Sequence, residues 1–217
     1  MSNTNDDASK LIVNLIDVNP KMLDAWATYF TRKETQDNFN DYIKIIGGDF
    51  FSRTADAVVS PANSFGFMDG GLDLHISKKL GWGVQKKLQY KIQTEYNGEL
   101  LVGQAIAIPT SHKDFKYCIS APTMRVPMIL GRESVNVYLA AKAAFSCALN
   151  NPHINSVNIS GLGTGVGRVP FDVCAKQMFA AYNEVILGVK YFPTTWFLAQ
   201  QTHIGLYSGE FKDLQKK

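Results

Sequence analysis

Long apolar runs are missing from this sequence. No stretch approaches the roughly 20 residues a membrane-spanning helix needs. The N-terminus, MSNTNDDASK, lacks the basic-then-apolar pattern of a secretion signal. Cysteine is scarce too: Cys118, Cys147 and Cys174 are odd in number, widely spaced and form no CxxC. That is a poor disulfide framework and fits a reducing compartment. The four histidines (His75, His112, His153, His203) form no HExxH or HxH pair. No metal and no cofactor are therefore expected. Nor does charge of one sign dominate. The 22 basic and 19 acidic residues leave a net charge of +3, too mild to call for nucleic acid. Lys78, Lys79, Lys86, Lys87 and Lys91 read as a solvated helix face. There is no internal repeat and no Pro- or Ser-rich linker. The expectation is a cytoplasmic or nucleocytoplasmic protein with an ordinary globular balance of 46% hydrophobic and 19% charged residues.

What is present alternates between two periods. Leu11 to Val18 is β-branched and apolar, a buried strand by length. Asn19-Pro20 supplies an N-cap and a first-turn proline, and Met22, Trp26 and Phe30 follow at four-residue spacing. A polar loop, roughly 33–40, leads to a strand over Tyr42 to Ile46, stopped by Gly47-Gly48-Asp49. Further strands are expected at Asp56 to Ser60, Leu101 to Ile108, Tyr117 to Ala121, Ser156 to Ser160 and Thr194 to Ala199. Helices are expected through Leu72, Ile76 and Leu80, and through Leu88, Ile92 and Tyr96. Two more run from Ser134 to Leu149 and from Pro170 through Cys174, Met178 and Tyr182. Such alternation predicts one α/β domain over residues 11–200, with a mixed, largely parallel sheet between helix layers. Residues 1–10 read as a disordered N-terminus, and 201–217 as a tail.

In such folds ligands sit beyond the carboxyl ends of the strands. Three glycine-bearing loops follow strands here, at Gly47, Asn63 and Gly161, and are expected to wall one site. In GLGTGVGR, residues 161–168, glycine takes every second position. Dense glycine lets several N–H groups turn toward one anion, although a flexible strand-to-helix connection would look the same. It is not a Walker A loop, because GK[ST] is absent. It is not the dinucleotide fingerprint either, since the third glycine would fall on Val166 or Arg168. Asp49, at a strand end, can accept a hydrogen bond from a ligand. Asn63 suits a sugar hydroxyl, and Gly70-Gly71 permits close backbone approach. Asp73 can take a proton from water, or simply complement the dipole of a helix first turn.

The ordered set resembles macrodomains, the ADP-ribose-binding α/β/α module, over about two thirds of the chain. GGDFF resembles the family's GD-[IL] segment, which implies that Asp49 and Phe50 meet the adenine. DAVVSPAN resembles its DAIVNAAN segment, placing Ala62 and Asn63 at the distal ribose. GGLD, with Gly70, Gly71 and Asp73, resembles GGVD. Gly163, Thr164, Gly165, Val166 and Gly167 match its pyrophosphate loop, and Gly103 its G-x-A-x-x-T strand. Asn63 and Asp73 keep the ten-residue spacing of the hydrolytic branch similar to MacroD enzymes. The resemblance therefore implies Asn63 and Asp73 as a catalytic pair that hydrolyses an ester of ADP-ribose, on protein or on a small molecule. The alternative is a reader that binds without turnover. Departures are Ser60 for the usual Asn, Met68-Asp69 in place of glycines, Leu74-His75 where small residues are usual, and Gly167 where MacroD-like proteins carry an aromatic. In that last respect the loop looks more like the branch around the ALC1 macrodomain.

Overall fold

A computed structural model describes residues 11–31 and 42–210. The expected polar loop at 33–40 and the expected disordered residues 1–10 lie outside the described residues. The chain runs β1 (Ile12–Asp17), α1 (Pro20–Phe30), β2 (Ile43–Gly47), β3 (Ala57–Ser60), α2 (Gly71–Leu80) and α3 (Gly83–Glu95). It continues through β4 (Ile106–Pro109), β5 (Tyr117–Ser120), α4 (Asn136–Leu149), β6 (Ser156–Ile159), α5 (Phe171–Val185) and α6 (Trp196–Gly205). The sheet order is β2-β1-β6-β3-β5-β4. Every neighbour pair is parallel except β4–β5. This is a mixed central sheet in an α/β/α sandwich.

The two helix layers follow from the two-residue alternation of the strands. Val13, Leu15, Ala57, Val59, Val157 and Ile159 face one core, shared with Met22, Trp26 and Phe30 of α1 and the alanine-rich side of α4. Ile16, Val58, Ile106, Ile108 and Cys118 face the other, shared with Ile76 of α2 and Leu88 and Ile92 of α3. The Asn19 side chain caps α1, accepting from the Lys21 N–H at 3.0 Å. Lys78, Lys79, Lys86 and Lys87 are exposed, as a solvated face requires.

Two elements differ from expectation. Thr194 to Ala199 is not a strand but the start of α6. The Thr195 hydroxyl accepts from the Leu198 N–H at 3.2 Å and starts a helix there. No residue of α6 is buried, so the β-branched and aromatic side chains have no sheet surface to settle on. The helix also carries the chain to Gly205, into the stretch expected to be tail. The strand expected over Leu101 to Ile108 shrinks to β4. The Gln104 N–H donates to the Leu101 carbonyl and the Gln104 side chain accepts from the Leu101 N–H, so a turn consumes the first half. No described helix is long and apolar enough to cross a membrane.

Candidate functional site

A cavity of about 300 Å³ opens at the carboxyl ends of β3, β5 and β6. The sheet order sets these three strands side by side, so the loops that follow them meet. Ala62, Asn63, Gly70, Gly71 and Asp73 line it from one side, and Gly163, Thr164, Gly165, Val166 and Gly167 from the other. The wall that sequence reasoning missed is the loop after β5, which contributes Thr123, Met124 and Pro127. Asn63 and Met124 form a parallel β-bridge that ties this loop to the first. Its only signal in the sequence was its position after a strand.

The loop at Gly47 is not part of this wall. β2 is an edge strand, separated from β6 by β1, so Asp49 and Phe50 stand outside the cavity lining. Asp49 is exposed, and its carboxylate accepts from the Phe51 N–H at 2.8 Å. Phe50 is core, 7% exposed. A buried amide pair fixes this segment: Asn14 Nδ2 donates to Asn158 Oδ1 at 2.9 Å, and Asn158 Nδ2 donates to the Phe50 and Arg53 carbonyls.

The segment from Pro61 to Asp73 is shaped by its own polar groups. Asn63 Nδ2 donates to the Phe67 carbonyl at 2.7 Å, while Oδ1 accepts from the N–H groups of Phe65 and Phe67 at 3.1 and 3.3 Å. Both ends of the amide are thus engaged within the loop. Met68 is fully buried, and its backbone is held by Gln85 of α3 and Ser77 of α2. Its bulk, foreign to a glycine run, is core packing. Asp69 is exposed and lines the cavity.

Asp73 sits in the first turn of α2, 9% exposed. Ser60, at the carboxyl end of β3, donates its hydroxyl to Asp73 Oδ1 at 2.5 Å. The Asp73 carboxyl is pushed up to about 7. Burial is the main cause, the Ser60 hydrogen bond opposes it, and the Asp69 charge adds to it. Ser60 is therefore the functional partner that sequence reasoning did not assign. Its signal was only a departure from the resembled motif.

The glycine-rich loop leaves β6 under the control of Asp17. That carboxylate, at the end of β1, accepts from the Ser160 hydroxyl at 2.8 Å and the Gly161 N–H at 3.2 Å. Inside the loop, the Val169 N–H returns to the Gly163 carbonyl and the Arg168 N–H to the Gly165 carbonyl. Among the described residues, no protein acceptor takes the N–H groups from Leu162 to Gly167. Among the described residues, the charged side chains lining the cavity these donors edge are Asp69 and Asp73. Backbone dipoles of this loop can hold an anion without a cation. At Gly167 a side chain has no room: a Cβ would lie 2.5 Å from the Gly163 carbonyl oxygen.

A family model described as Macro domain matches residues 59–178, more than half of the 217-residue chain. The chain belongs to the macro domain family. An uncharacterized protein of Aquifex aeolicus is 35% identical to this macrodomain, the alignment covering 63% of this chain and 78% of that protein. The macrodomain of Mycobacterium tuberculosis DarG superposes with a TM-score of 0.53 at 20% identity, covering 64% of this chain and 89% of that one. The Oceanobacillus iheyensis macrodomain with ADP gives 0.56 at 19% identity, over 65% and 74%. Thermosipho africanus DarTG in complex with ADP-ribose gives 0.52 at 16% identity, over 68% and 42%. The matched segment of this macrodomain begins inside β3 and leaves out β1, α1 and β2. Of these, β1 and α1 still support the site, β1 through Asp17. A Cβ on Gly161 would lie 2.7 Å from the Met22 sulfur, so α1 buttresses the glycine-rich loop from behind.

Proposed function

We propose that this macrodomain binds ADP-ribose or an ADP-ribose derivative and hydrolyses an ester at the distal ribose. One observation carries the reading: a buried carboxylate, Asp73, shares a cavity of about 300 Å³ with a row of unengaged backbone N–H groups. Relatives of the same fold have been solved with ADP and with ADP-ribose, which supports the ligand class. In this reading the diphosphate lies on the N–H groups of 163–167 and the distal ribose reaches Asp73. The adenine end runs toward the β2 edge, where Asp49 selects its exocyclic amine.

With its pKa raised to about 7, Asp73 is ionised in a useful fraction at neutral pH and can still accept a proton. It takes a proton from water, and the water oxygen bonds to the acyl carbon. The ester bond to the ribose oxygen then breaks, and the proton passes to that oxygen. ADP-ribose and a carboxylic acid leave. Asn63, its amide engaged within its own loop, contributes by shaping that loop. The substrate is ADP-ribosylated protein or a small-molecule ester.

The test is turnover of O-acetyl-ADP-ribose and mono-ADP-ribosylated protein by wild type and Asp73→Ala, alongside calorimetric binding of ADP-ribose. Loss of at least about 100-fold in kcat with retained binding is expected. Equal rates in the two proteins would remove Asp73 from the chemistry. Binding without turnover of any conjugate would select the reader function instead. The engagement of Asp73 by Ser60 favours that second reading, because one carboxylate oxygen is already occupied.

A further inference from the structure

Phe67 is the only aromatic side chain lining the cavity among the described residues, and it is 53% exposed. Its backbone is not loose. Asn63 holds both its N–H and its carbonyl, and the next residue, Met68, is buried with its own N–H and carbonyl bonded to Gln85 and Ser77. On its other side Gly66 is pressed against Ile92 and Leu88, where a Cβ would lie 2.9 Å from Ile92 Cδ1. Phe65, by contrast, is half-buried, with the Arg125 guanidinium 5.1 Å from its ring. So one ring is presented to solvent from a clamped backbone, at the mouth of a cavity whose floor holds the buried Asp73. A large apolar side chain fixed in this way gains nothing until something covers it.

The facing loop offers Val166, 59% exposed, as its apolar contact, since Gly167 admits no side chain. The charges at the lining are Asp69 and Asp73, both acidic. A group protruding past Asp73 therefore meets a ring, a valine and a carboxylate. That environment rejects an anion and stabilises a neutral apolar or planar group.

We infer that Phe67 is a specificity-determining residue that packs on the acyl group of the ester, and that the preferred substrates carry a neutral acyl group larger than acetyl. Asn63 is then a positioning residue, acting through the backbone of Phe67. This rests on the ADP-ribose reading above.

The experiment is calorimetric binding of ADP-ribose and of non-hydrolysable amide analogues bearing acetyl, butyryl, benzoyl or succinyl on the distal ribose. In wild type the butyryl and benzoyl analogues should bind about tenfold more tightly than the acetyl analogue, at roughly threefold to fourfold per buried methylene. The succinyl analogue, with its added carboxylate, should bind more weakly than butyryl. Phe67→Ala should erase the gain from butyryl and benzoyl while costing ADP-ribose itself less. Asn63→Ala should lose the same gain, and the double variant should be no worse than either single one. An unchanged order of affinities in Phe67→Ala, or succinyl binding as well as butyryl, would overturn the inference alone. Failure of ADP-ribose to bind wild type would overturn the ligand reading, and this inference with it.

Discussion

Ser60 and Asp73 show how one hydroxyl sets the chemistry open to a carboxylate. Burial raises the Asp73 pKa, while a donor aimed at its oxygen favours the ionised form and limits the rise. The Ser60 hydroxyl is itself fully buried, and so is that of Ser120, its register partner on β5, which has no hydrogen-bond partner among the described residues. Among the described residues, the groups acting on Asp73 are Ser60, which lowers its pKa, and Asp69, which raises it. Ser60→Ala should therefore move the Asp73 pKa upward from about 7, by about one to two units, the size of a hydrogen bond to a charged group. Carbon-detected NMR titration of the aspartate carboxyls reads this directly. The acid limb of a kcat/KM profile should move up in parallel. A downward shift or none would show that the 2.5 Å contact does not act on the carboxylate as a donor.

At the scale of elements, the glycine-rich loop is held by what surrounds it as well as by its own bonds. Asp17 of β1 anchors its entry, Met22 of α1 backs Gly161, and the N–H groups of Leu130 and Gly131 both point at the Gly167 carbonyl. Two alanine substitutions separate a rigid neighbour from a flexible one. At Gly167 a Cβ meets the Gly163 backbone, so Gly167→Ala should destabilise by about 1–3 kcal/mol and weaken ADP-ribose binding. At Gly161 the nearest atom is the sulfur of the flexible Met22 side chain rather than backbone, so Gly161→Ala should cost less. Measured against Met22→Ala alone, which opens space beside it, Gly161→Ala should cost less still. Urea denaturation together with ADP-ribose calorimetry measures wild type and these variants. A Gly161→Ala cost equal to that at Gly167 would contradict the packing described.

For the whole molecule, Asp73 couples folding to pH. Its folded pKa, about 7, lies above the ordinary carboxyl value of 3.8, so between these values the native state binds more protons than the unfolded state. Stability contributed by this group is complete below about pH 4 and falls as pH rises through 7. Its full amplitude is up to about 4 kcal/mol. Asp73→Asn, which cannot ionise, should match wild type at about pH 4 and increasingly exceed it in stability as pH rises to 8. Urea midpoints across that range test the slope, and a wild-type advantage at pH 8 would reverse the assignment. In the proposed reaction this is also the window in which Asp73 becomes a base.

Much of this architecture is legible in residue order. Met22-Trp26-Phe30 and Cys174-Met178-Tyr182 declare buried helix faces, because four-residue spacing places side chains on one stripe. The short, mostly buried tetrads of β3, β5 and β6 are legible as strands, and Asn63, Gly70-Gly71, Asp73 and the loop at 161–167, expected to wall one site, line one cavity. Local chemistry decides such features, so sequence suffices for them. It misled at Thr194 to Ala199, where strand-like residues had no sheet to join and a threonine cap started a helix. Adjacency was decided only by tertiary structure. The strand order brings β3, β5 and β6 together and sends Asp49 to the β2 side. It also inserts β1, outside the matched family segment, between β2 and β6, and lets Asp17 and Met22 support the glycine-rich loop. The Ser60–Asp73 contact likewise joins residues that no periodicity relates. Which strands become neighbours depends on burying both faces of the sheet at once, and that condition applies to the whole chain rather than to any stretch of it.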